Sequence, residues 1–329
     1  MTSPTPRSLG RTGPAVFPIA LGCMGMSKIY GPSDDAESIA TIHAALDQGV
    51  NVLDTGDFYG NGLNEMLIGR ALKERKDKPL LSVKFGALRA PDGKWLGFDS
   101  RPAAVKNFAT YSLNRLGVDC IDIYRPARID PQVPIEDTIG AVAELVQAGY
   151  VRHVGLSEMG PETIRRAHAV HPIVDLQIEY SLISRGPEEK IFPVLEELGI
   201  AVTAYGVLSR GLLGGSVPAA QGDFRALMPR FTGDNRQQNE RLIEALRAVA
   251  REMGVTPAGL AIAWVLAKNP SIVPVVGART RAQLADSLGS LGIALSADAI
   301  ARLEAAVPAS AVAGTRYDPH QMRMLDSEK

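Results

Sequence analysis

Short apolar runs rich in β-branched residues alternate along the chain with longer segments in which apolar residues recur every three to four positions. Such short continuous runs are typical of strands that are buried on both faces, as in a parallel sheet. The segments that fit this description are 17–22, 51–54, 80–84, 121–124, 153–157, 174–180, 201–205 and 272–277. The pattern therefore predicts eight strands that alternate with helices.

Two stripes of apolar residues have the spacing of a helix face that packs on a core. They consist of Ile135, Ile139, Val142 and Val146, and of Leu242, Ala245, Leu246, Val249 and Met253. Helix starts are indicated by Asp34 with Glu37, by Pro161 after Gly160, and by Thr256 before Pro257. This rhythm predicts an α/β fold: one (β/α)8 barrel over residues 1–329, with extra C-terminal helices and a tail at 309–329. The alternative is a doubly wound sheet with a second domain, but no break in composition marks its boundary.

Composition and charge narrow the range of partners. Lys and Arg number 35 against 36 Asp and Glu, for a net charge of −1. This balance argues against nucleic acid or an anionic membrane as the main partner. Two cysteines, Cys23 and Cys120, are too few for a disulfide framework. Residues 1–9 lack the apolar core of a secretory signal, and no apolar run approaches the ~18 residues of a membrane span. We therefore expect a cytoplasmic protein.

Polar side chains stand at corresponding places in the strand rhythm. They are Asp54, Lys84, Arg125, Ser157, Glu158, Gln177 and Tyr205. In a (β/α)8 barrel the site is built at the C-terminal ends of the strands. Polar groups at the ends of apolar strands cost desolvation energy unless something binds them. The sequence therefore predicts a ring of site residues at one end of the barrel.

Three of these positions suggest acid–base chemistry. Asp54 ends one predicted strand, Tyr59 follows in the loop, and Lys84 ends the next strand. An ammonium beside a phenol favours phenolate and lowers the tyrosine pKa, while a carboxylate orients the lysine. Tyr59 is then a general acid for a carbonyl oxygen. The alternative is a structural ion pair between Asp54 and Lys84 with a bystander tyrosine.

The chain resembles the aldo-keto reductases over most of its length. The segments that carry the resemblance are 9–27, the D-x4-Y loop 54–59 with NEMLIGRAL after it, 82–86, 112–124, 134–158, 177–181, 204–215 and 274–284. Together these motifs are specific, although each alone is weak. The fold of that family is the barrel that the hydrophobic pattern predicts.

The resemblance implies a role for individual residues. Tyr59 matches the proton donor, with Lys84 and Asp54 as its partners. Other positions match residues that bind the nicotinamide cofactor: Met24, Ser157, Gln177, Tyr205, Gly206, Leu208, Ser209, Arg210, Gly211, Leu212, Gly277, Arg279, Gln283 and Ser287. Among them, Arg279 also has a direct rationale, because a guanidinium suits the 2′-phosphate that distinguishes NADPH from NADH. A solvated arginine at a helix start is the alternative.

The sequence also departs from the family pattern. Ala127 stands in RPARID where the family usually has a histidine, which opens volume for a bulkier or more polar substrate. Arg125 either compensates by reaching the pocket or is structural. Glu158 and Ser287 replace common asparagines. Trp95, in loop 87–101, and the tail 309–329 are expected to shape the substrate pocket.

These observations predict NADPH-dependent reduction of a small-molecule ketone or aldehyde, reversibly and without a metal. The histidines lack ligand spacing, which is the basis for expecting no metal. One alternative is an NADP(H)-binding sensor or auxiliary subunit with little catalysis, which Ala127 slightly favours. Another is an isomerase or dehydratase on the same barrel.

Overall fold

The fold is a closed barrel of eight parallel strands. The structure is a computed structural model that describes residues 4–27, 29–73, 75–216, 218 and 223–329. The barrel strands are β1 (Ala20–Gly22), β2 (Val52–Gly56), β3 (Leu80–Phe85), β4 (Ile121–Pro126), β5 (Val151–Ser157), β6 (Ile173–Glu179), β7 (Ala201–Tyr205) and β8 (Ile272–Gly277). Each strand pairs with the next in sequence, and β8 pairs with β1. The predicted (β/α)8 barrel is confirmed.

Helices surround the barrel and follow its strands. They are α1 (Asp35–Asp47), α2 (Leu63–Leu72), α3 (Pro102–Leu116), α4 (Ile135–Gln147), α5 (Pro161–Val170), α6 (Pro187–Leu198), α7 (Gly233–Glu252), α8 (Pro257–Lys268), α9 (Arg281–Gly289), α10 (Ala297–Ala306) and α11 (Pro319–Arg323). Both α7 and α8 lie between β7 and β8, so one of them is an addition to the simple repeat. The helices after α9 are the predicted C-terminal extras.

The helix starts follow their capping residues. The carboxylate of Asp34 accepts the Glu37 backbone N–H at 2.7 Å, and the Thr256 hydroxyl accepts that of Gly259 at 2.9 Å. Helix α5 begins at Pro161, as expected from the proline's fixed φ. No single described helix is long and apolar enough to cross a membrane, although α7 and α8, bent by 88°, meet that length and composition test as a pair. Of the N-terminal residues 1–9, residues 1–3 lie outside the described residues.

The barrel interior has an apolar bottom and a polar upper part. A hairpin of Arg7–Ser8 with Ala15–Val16 precedes β1, and its Leu9 and Val16 are completely buried. These side chains cluster with inward-facing residues near the strand starts, including Val52 and Val174. Burial of this apolar surface closes the N-terminal end of the barrel. The polar side chains of the strands therefore lie toward the other end.

Candidate active site

Asp54 and Lys84 form a buried ion pair at the C-terminal side of the barrel. The Lys84 ammonium lies 2.6 Å from one Asp54 carboxylate oxygen, and both side chains are less than a tenth exposed. The other carboxylate oxygen accepts the Ser82 hydroxyl at 2.9 Å and the Gln177 amide at 2.7 Å. Three donors from β3 and β6 therefore hold Asp54 in one orientation. Strand β2 continues two residues beyond Asp54, to Gly56, so this residue lies in the strand rather than at its end.

Tyr59 lies beside this pair, in the turn Tyr59–Gly62 that follows β2. Gly60 and Asn61 adopt left-handed backbone angles there, with φ of 56° and 55°, which bends the chain sharply before α2. The Lys84 ammonium lies 5.1 Å from the centroid of the Tyr59 ring. The ring is only 7% exposed. The structure thus brings the predicted Asp54, Tyr59 and Lys84 together.

The pKa of Tyr59 shifts opposite to the direction expected from its lysine. Burial and the nearby Asp54 charge raise the pKa of Tyr59 well above its ordinary value, and Arg128 opposes this shift. Burial also lowers the pKa of Lys84, which Asp54 partly offsets. The penalty of removing a phenolate from water outweighs the attraction of the ammonium in this structure. Tyr59 therefore retains its proton at physiological pH.

The predicted nicotinamide contacts lie next to Asp54, Tyr59 and Lys84 at the barrel mouth, which is the end of the barrel where the strands have their C-terminal ends. Ser157 and Gln177 are register partners on β5 and β6, and both are nearly fully buried. Tyr205 ends β7, and its hydroxyl donates to Glu158 at 2.7 Å and lies 2.9 Å from the Tyr317 hydroxyl. The Gln177 amide is bonded to Asp54 in this structure. These side chains converge on one surface above Asp54.

The loop after β7 has the geometry of an anion-binding cradle. Its positive φ angles are 65° at Gly206, 46° at Ser209, 57° at Arg210 and 91° at Gly211. Within the described residues, the buried Ser209 hydroxyl has no hydrogen-bond partner. The predicted loop residues present here are Gly206, Leu208, Ser209, Arg210, Gly211 and Leu212. An orphaned donor beside an arginine in a loop of this conformation fits the phosphates of a dinucleotide.

The remaining predicted cofactor residues lie around β1 and β8. Gly277 pairs in register with Gly22, which leaves no side chain at this strand junction. The Arg279 guanidinium donates to the Tyr30 carbonyl at 3.0 Å, and its backbone N–H donates to the Gln283 side chain at 2.8 Å. The Ser287 hydroxyl donates to the Gln283 carbonyl at 2.9 Å, so it is bonded within α9. Met24 begins the turn Met24–Ser27 after β1.

The predicted substrate residues occupy three different environments. Ala127 is 3% exposed and directly follows β4. Arg125 is completely buried inside the barrel and lies 2.9 Å from the Asp175 carboxylate. This placement supports the structural alternative for Arg125 and not a pocket role. Trp95 lies on a hairpin of Ala87–Arg89 with Trp95–Phe98 and is 39% exposed, with its ring edge-on to Phe98.

The C-terminal tail contributes two residues that the sequence did not connect with the strands. The Arg316 guanidinium binds both Glu158 carboxylate oxygens, at 2.8 and 2.6 Å, and Glu158 is fully buried. Arg316 holds the pKa of Glu158 well below its usual range, against the opposing effect of burial. The Ser327 hydroxyl also donates to Glu158, at 2.5 Å. Glu158 therefore anchors the tail, and its oxygens are occupied by protein donors.

Arginines outnumber carboxylates around the barrel mouth. Arg210 and Arg230 lie 3.2 and 3.4 Å from the Glu179 carboxylate, and Arg316 pairs with Glu158. Arg128, one residue after Ala127, adds another cation, and its side chain bonds the Ala127 carbonyl at 2.6 Å. Sequence reasoning missed Arg128; its place directly after the altered histidine position was the available signal. The mouth therefore favours anionic ligands.

Asp57, two residues before Tyr59, gives the protein a pH-dependent stability. Burial and the neighbouring Glu65 raise the pKa of Asp57 to about 8. Folded Asp57 thus keeps a proton that the unfolded chain releases above its ordinary pKa of about 3.9. Stability falls as pH rises through this window, by at most about 1.4 kcal/mol per pH unit, and levels off above the folded pKa.

We expect Asp57→Asn to remove this dependence, because the amide does not ionise. The free energy of unfolding of the variant should exceed that of the parent by a margin that grows between about pH 6 and about pH 8. Urea denaturation at both pH values measures the margin. The exposed Asp47→Asn is the control, and a margin independent of pH would contradict the prediction.

The fold and the comparisons with known proteins identify the chain as an oxidoreductase of the barrel class. The aldo/keto reductase family model matches residues 18–308. A probable aldo-keto reductase from Glycine max is 40% identical over 321 residues, covering 95% of this chain and 91% of the relative. A glycerol dehydrogenase from Gluconobacter oxydans has a TM-score of 0.83 at 30% identity, covering 94% of this chain and 97% of its own. An aldo-keto reductase from Bacillus halodurans in its holo form has a TM-score of 0.78 at 29% identity, covering 97% and 99%.

The chain therefore belongs to the aldo/keto reductase family. Members of this family are oxidoreductases that reduce carbonyl compounds and generally bind a nicotinamide cofactor. The resemblance seen in the sequence is confirmed.

Proposed function

We propose that the protein catalyses NADPH-dependent, reversible reduction of a ketone or aldehyde to an alcohol, in the cytoplasm. The observation that carries this proposal is the Lys84–Asp54 ion pair beside the protonated Tyr59 at the barrel mouth. The alternative of a sensor has no comparable support, because a sensor needs no such set of acid–base groups. The name of the glycerol dehydrogenase from Gluconobacter oxydans is consistent with a reaction that also runs toward the carbonyl.

Each residue of the set has a defined task in this proposal. Bound NADPH supplies a hydride to the carbonyl carbon. Tyr59 donates its phenolic proton to the carbonyl oxygen, and the Lys84 ammonium stabilises the phenolate that remains. Asp54 keeps the lysine charged and aimed at the ring, and Ser82 and Gln177 fix Asp54 in turn. Burial excludes water, which strengthens these electrostatic interactions.

The residues fit the cofactor at three places. Ser157 and Gln177 face the nicotinamide end with Tyr205 beside them, the loop 206–212 takes the pyrophosphate, and α9 with Arg279 and Gln283 takes the adenine end. The Ser209 hydroxyl without a partner in the described chain supports this arrangement. Gly277, Met24 and Ser287 complete the proposed surface.

Arg279 is proposed to select NADPH over NADH. Among the described residues its guanidinium donates to two backbone carbonyls, those of Tyr30 and Pro32, and so retains donors for a 2′-phosphate. We expect Arg279→Met to weaken NADPH binding about tenfold to a hundredfold and to leave NADH binding within about twofold. Fluorescence titration of both cofactors measures this. Arg281→Met, which removes a neighbouring exposed arginine paired with Glu37, is the matched control.

The direct test of the proposal is NADPH consumption by the purified protein over neutral aldehydes, small ketones, sugars and polycyclic ketones. Transfer of deuterium from the labelled nicotinamide to the alcohol carbon would establish hydride transfer. Tight NADPH binding without turnover of any carbonyl compound would contradict the proposal and favour the sensor. Turnover of substrate without net loss of NADPH would favour the isomerase or dehydratase.

A further inference from the structure

Arg128 lies next to the position at which the family usually has a histidine. It directly follows Ala127, whose side chain is buried and small. One guanidinium nitrogen of Arg128 bonds the Ala127 carbonyl at 2.6 Å and approaches the Ser157 hydroxyl at 3.4 Å. The other donates to the Tyr317 hydroxyl at 3.3 Å. Arg128 therefore lies above the ends of β4 and β5, next to the residues proposed for the nicotinamide.

The partners of Arg128 are neutral, unlike those of the other arginines at the mouth. Arg210 and Arg230 are paired with Glu179, and Arg316 with Glu158. Among the described residues, no carboxylate lies within 4.0 Å of the Arg128 guanidinium nitrogens. The charge of the more distant Glu158 favours the Arg128 cation, but that carboxylate is itself bonded to Arg316 and Ser327. An anionic group brought by a ligand would give the half-buried guanidinium a direct charged partner.

The position of Arg128 points to the substrate and not to the cofactor phosphates. The pyrophosphate has its own cation, Arg210, in the loop after β7. Arg128 instead contacts Ser157 at the nicotinamide end, and its charge reaches both Tyr59 and Lys84, where it opposes the rise in the pKa of the phenol. A group held by Arg128 is thus close to the proton donor. The planar guanidinium also suits bidentate binding of a carboxylate.

We infer that Arg128 is a specificity-determining residue that selects carbonyl substrates carrying an anionic group near the carbonyl, a carboxylate or a phosphate. This inference rests on the proposed function and names the substrate class of the same site. Hydride forms the C–H bond at the carbonyl carbon, the C=O π bond breaks, and the Tyr59 proton completes the alcohol. NADPH is oxidised to NADP+, and the anionic group is unchanged. Arg128 orients the substrate and takes no part in bond making.

Paired substrates that differ in charge test the inference. Phenylglyoxylate is compared with its methyl ester, and glyceraldehyde 3-phosphate with glyceraldehyde, which separates carboxylate from phosphate. We expect the parent enzyme to prefer the anionic member of at least one pair about tenfold or more in kcat/KM. Arg128→Gln should lower kcat/KM for that anion about tenfold or more beyond any loss for its neutral partner, and this extra loss should appear mainly in KM. Arg128→Lys should restore part of the loss, because lysine keeps the positive charge but lacks the planar guanidinium that binds two oxygens at once.

The controls distinguish substrate recognition by Arg128 from a structural role in holding the tail residue Tyr317. Arg152→Gln removes the same charge from an exposed arginine at the opposite end of β5 and should change neither substrate. Equal loss for the anionic and neutral members in Arg128→Gln would show a structural role and overturn the inference. Equal rates for both members in the parent enzyme would overturn it as well.

Failure of the proposed function remains distinguishable from failure of this inference. If no carbonyl compound consumes NADPH, calorimetric binding of phenylglyoxylate and of glyceraldehyde 3-phosphate to the NADP+-saturated protein replaces the kinetic comparison. Binding of either anion that weakens about tenfold or more in Arg128→Gln would support the anion site without reduction. Absence of anion binding, or binding unaffected by the substitution, would overturn it.

Discussion

Replacing Tyr59 with phenylalanine is expected to lower kcat for carbonyl reduction about 10²- to 10⁴-fold, the usual contribution of a general acid. The substitution removes only the phenolic hydroxyl. The ring would keep its edge-on contact with Phe58 and its position beside the Lys84 ammonium. The fold and the affinity for NADPH should therefore be preserved. The loss should appear equally in kcat and kcat/KM, because the interaction is made in the transition state.

The measurement combines steady-state kinetics with a fluorescence titration of NADPH. Tyr111→Phe, at a half-exposed tyrosine of α3, is the matched control and should retain full activity. Because burial keeps Tyr59 protonated, reduction by the parent enzyme should not decline at alkaline pH through loss of this proton. Unchanged turnover in Tyr59→Phe would support the other interpretation, a structural Asp54–Lys84 pair with a bystander tyrosine.

The eight strands were predictable because a parallel barrel buries both faces of each strand, which yields continuous apolar runs. The direction of the polar side chains was predictable in part. On β4, Ile123 belongs to the inner cluster and Tyr124 to the cluster between the strands and the helices. Alternation therefore turns Arg125 inward. The same alternation places Val52 and Asp54 on one face of β2, and Ser82 and Lys84 on one face of β3.

Other parts of the site required the three-dimensional arrangement. The Arg316–Glu158 pair joins residues 158 positions apart, and no local pattern specifies which cation meets a buried carboxylate. Burial and the Asp54 charge raise the pKa of Tyr59, and the tail residue Tyr317 adds an electrostatic contribution in the same direction. Sequence spacing indicated proximity of the lysine but not the degree of burial. A neighbouring ammonium lowers the pKa of a tyrosine and burial raises it, and for Tyr59 burial has the larger effect.

The buried pair of Arg125 and Asp175 should make the barrel sensitive to the loss of either partner alone. Arg125 lies 2.9 Å from Asp175 and also donates to the Thr203 and Ser82 hydroxyls, each at 3.0 Å. Gly155 leaves the space for the pair, because a Cβ there would lie 2.6 Å from an Asp175 oxygen. Since Ser82 also donates to Asp54, this pair supports the site from below.

Arg125→Met is expected to reduce the free energy of unfolding by about 3–5 kcal/mol, because it leaves a buried carboxylate without its counterion. Burial already raises the pKa of Asp175, and loss of Arg125 should raise it further, so the destabilisation should be smaller in acid. Urea denaturation measures both effects. The double variant Arg125→Met with Asp175→Leu should recover much of the loss, since it removes the unpaired charge. Arg166→Met, which breaks the exposed pair with Glu136, should cost less than about 1 kcal/mol. Equal losses in the buried and exposed variants would contradict this account of the barrel interior.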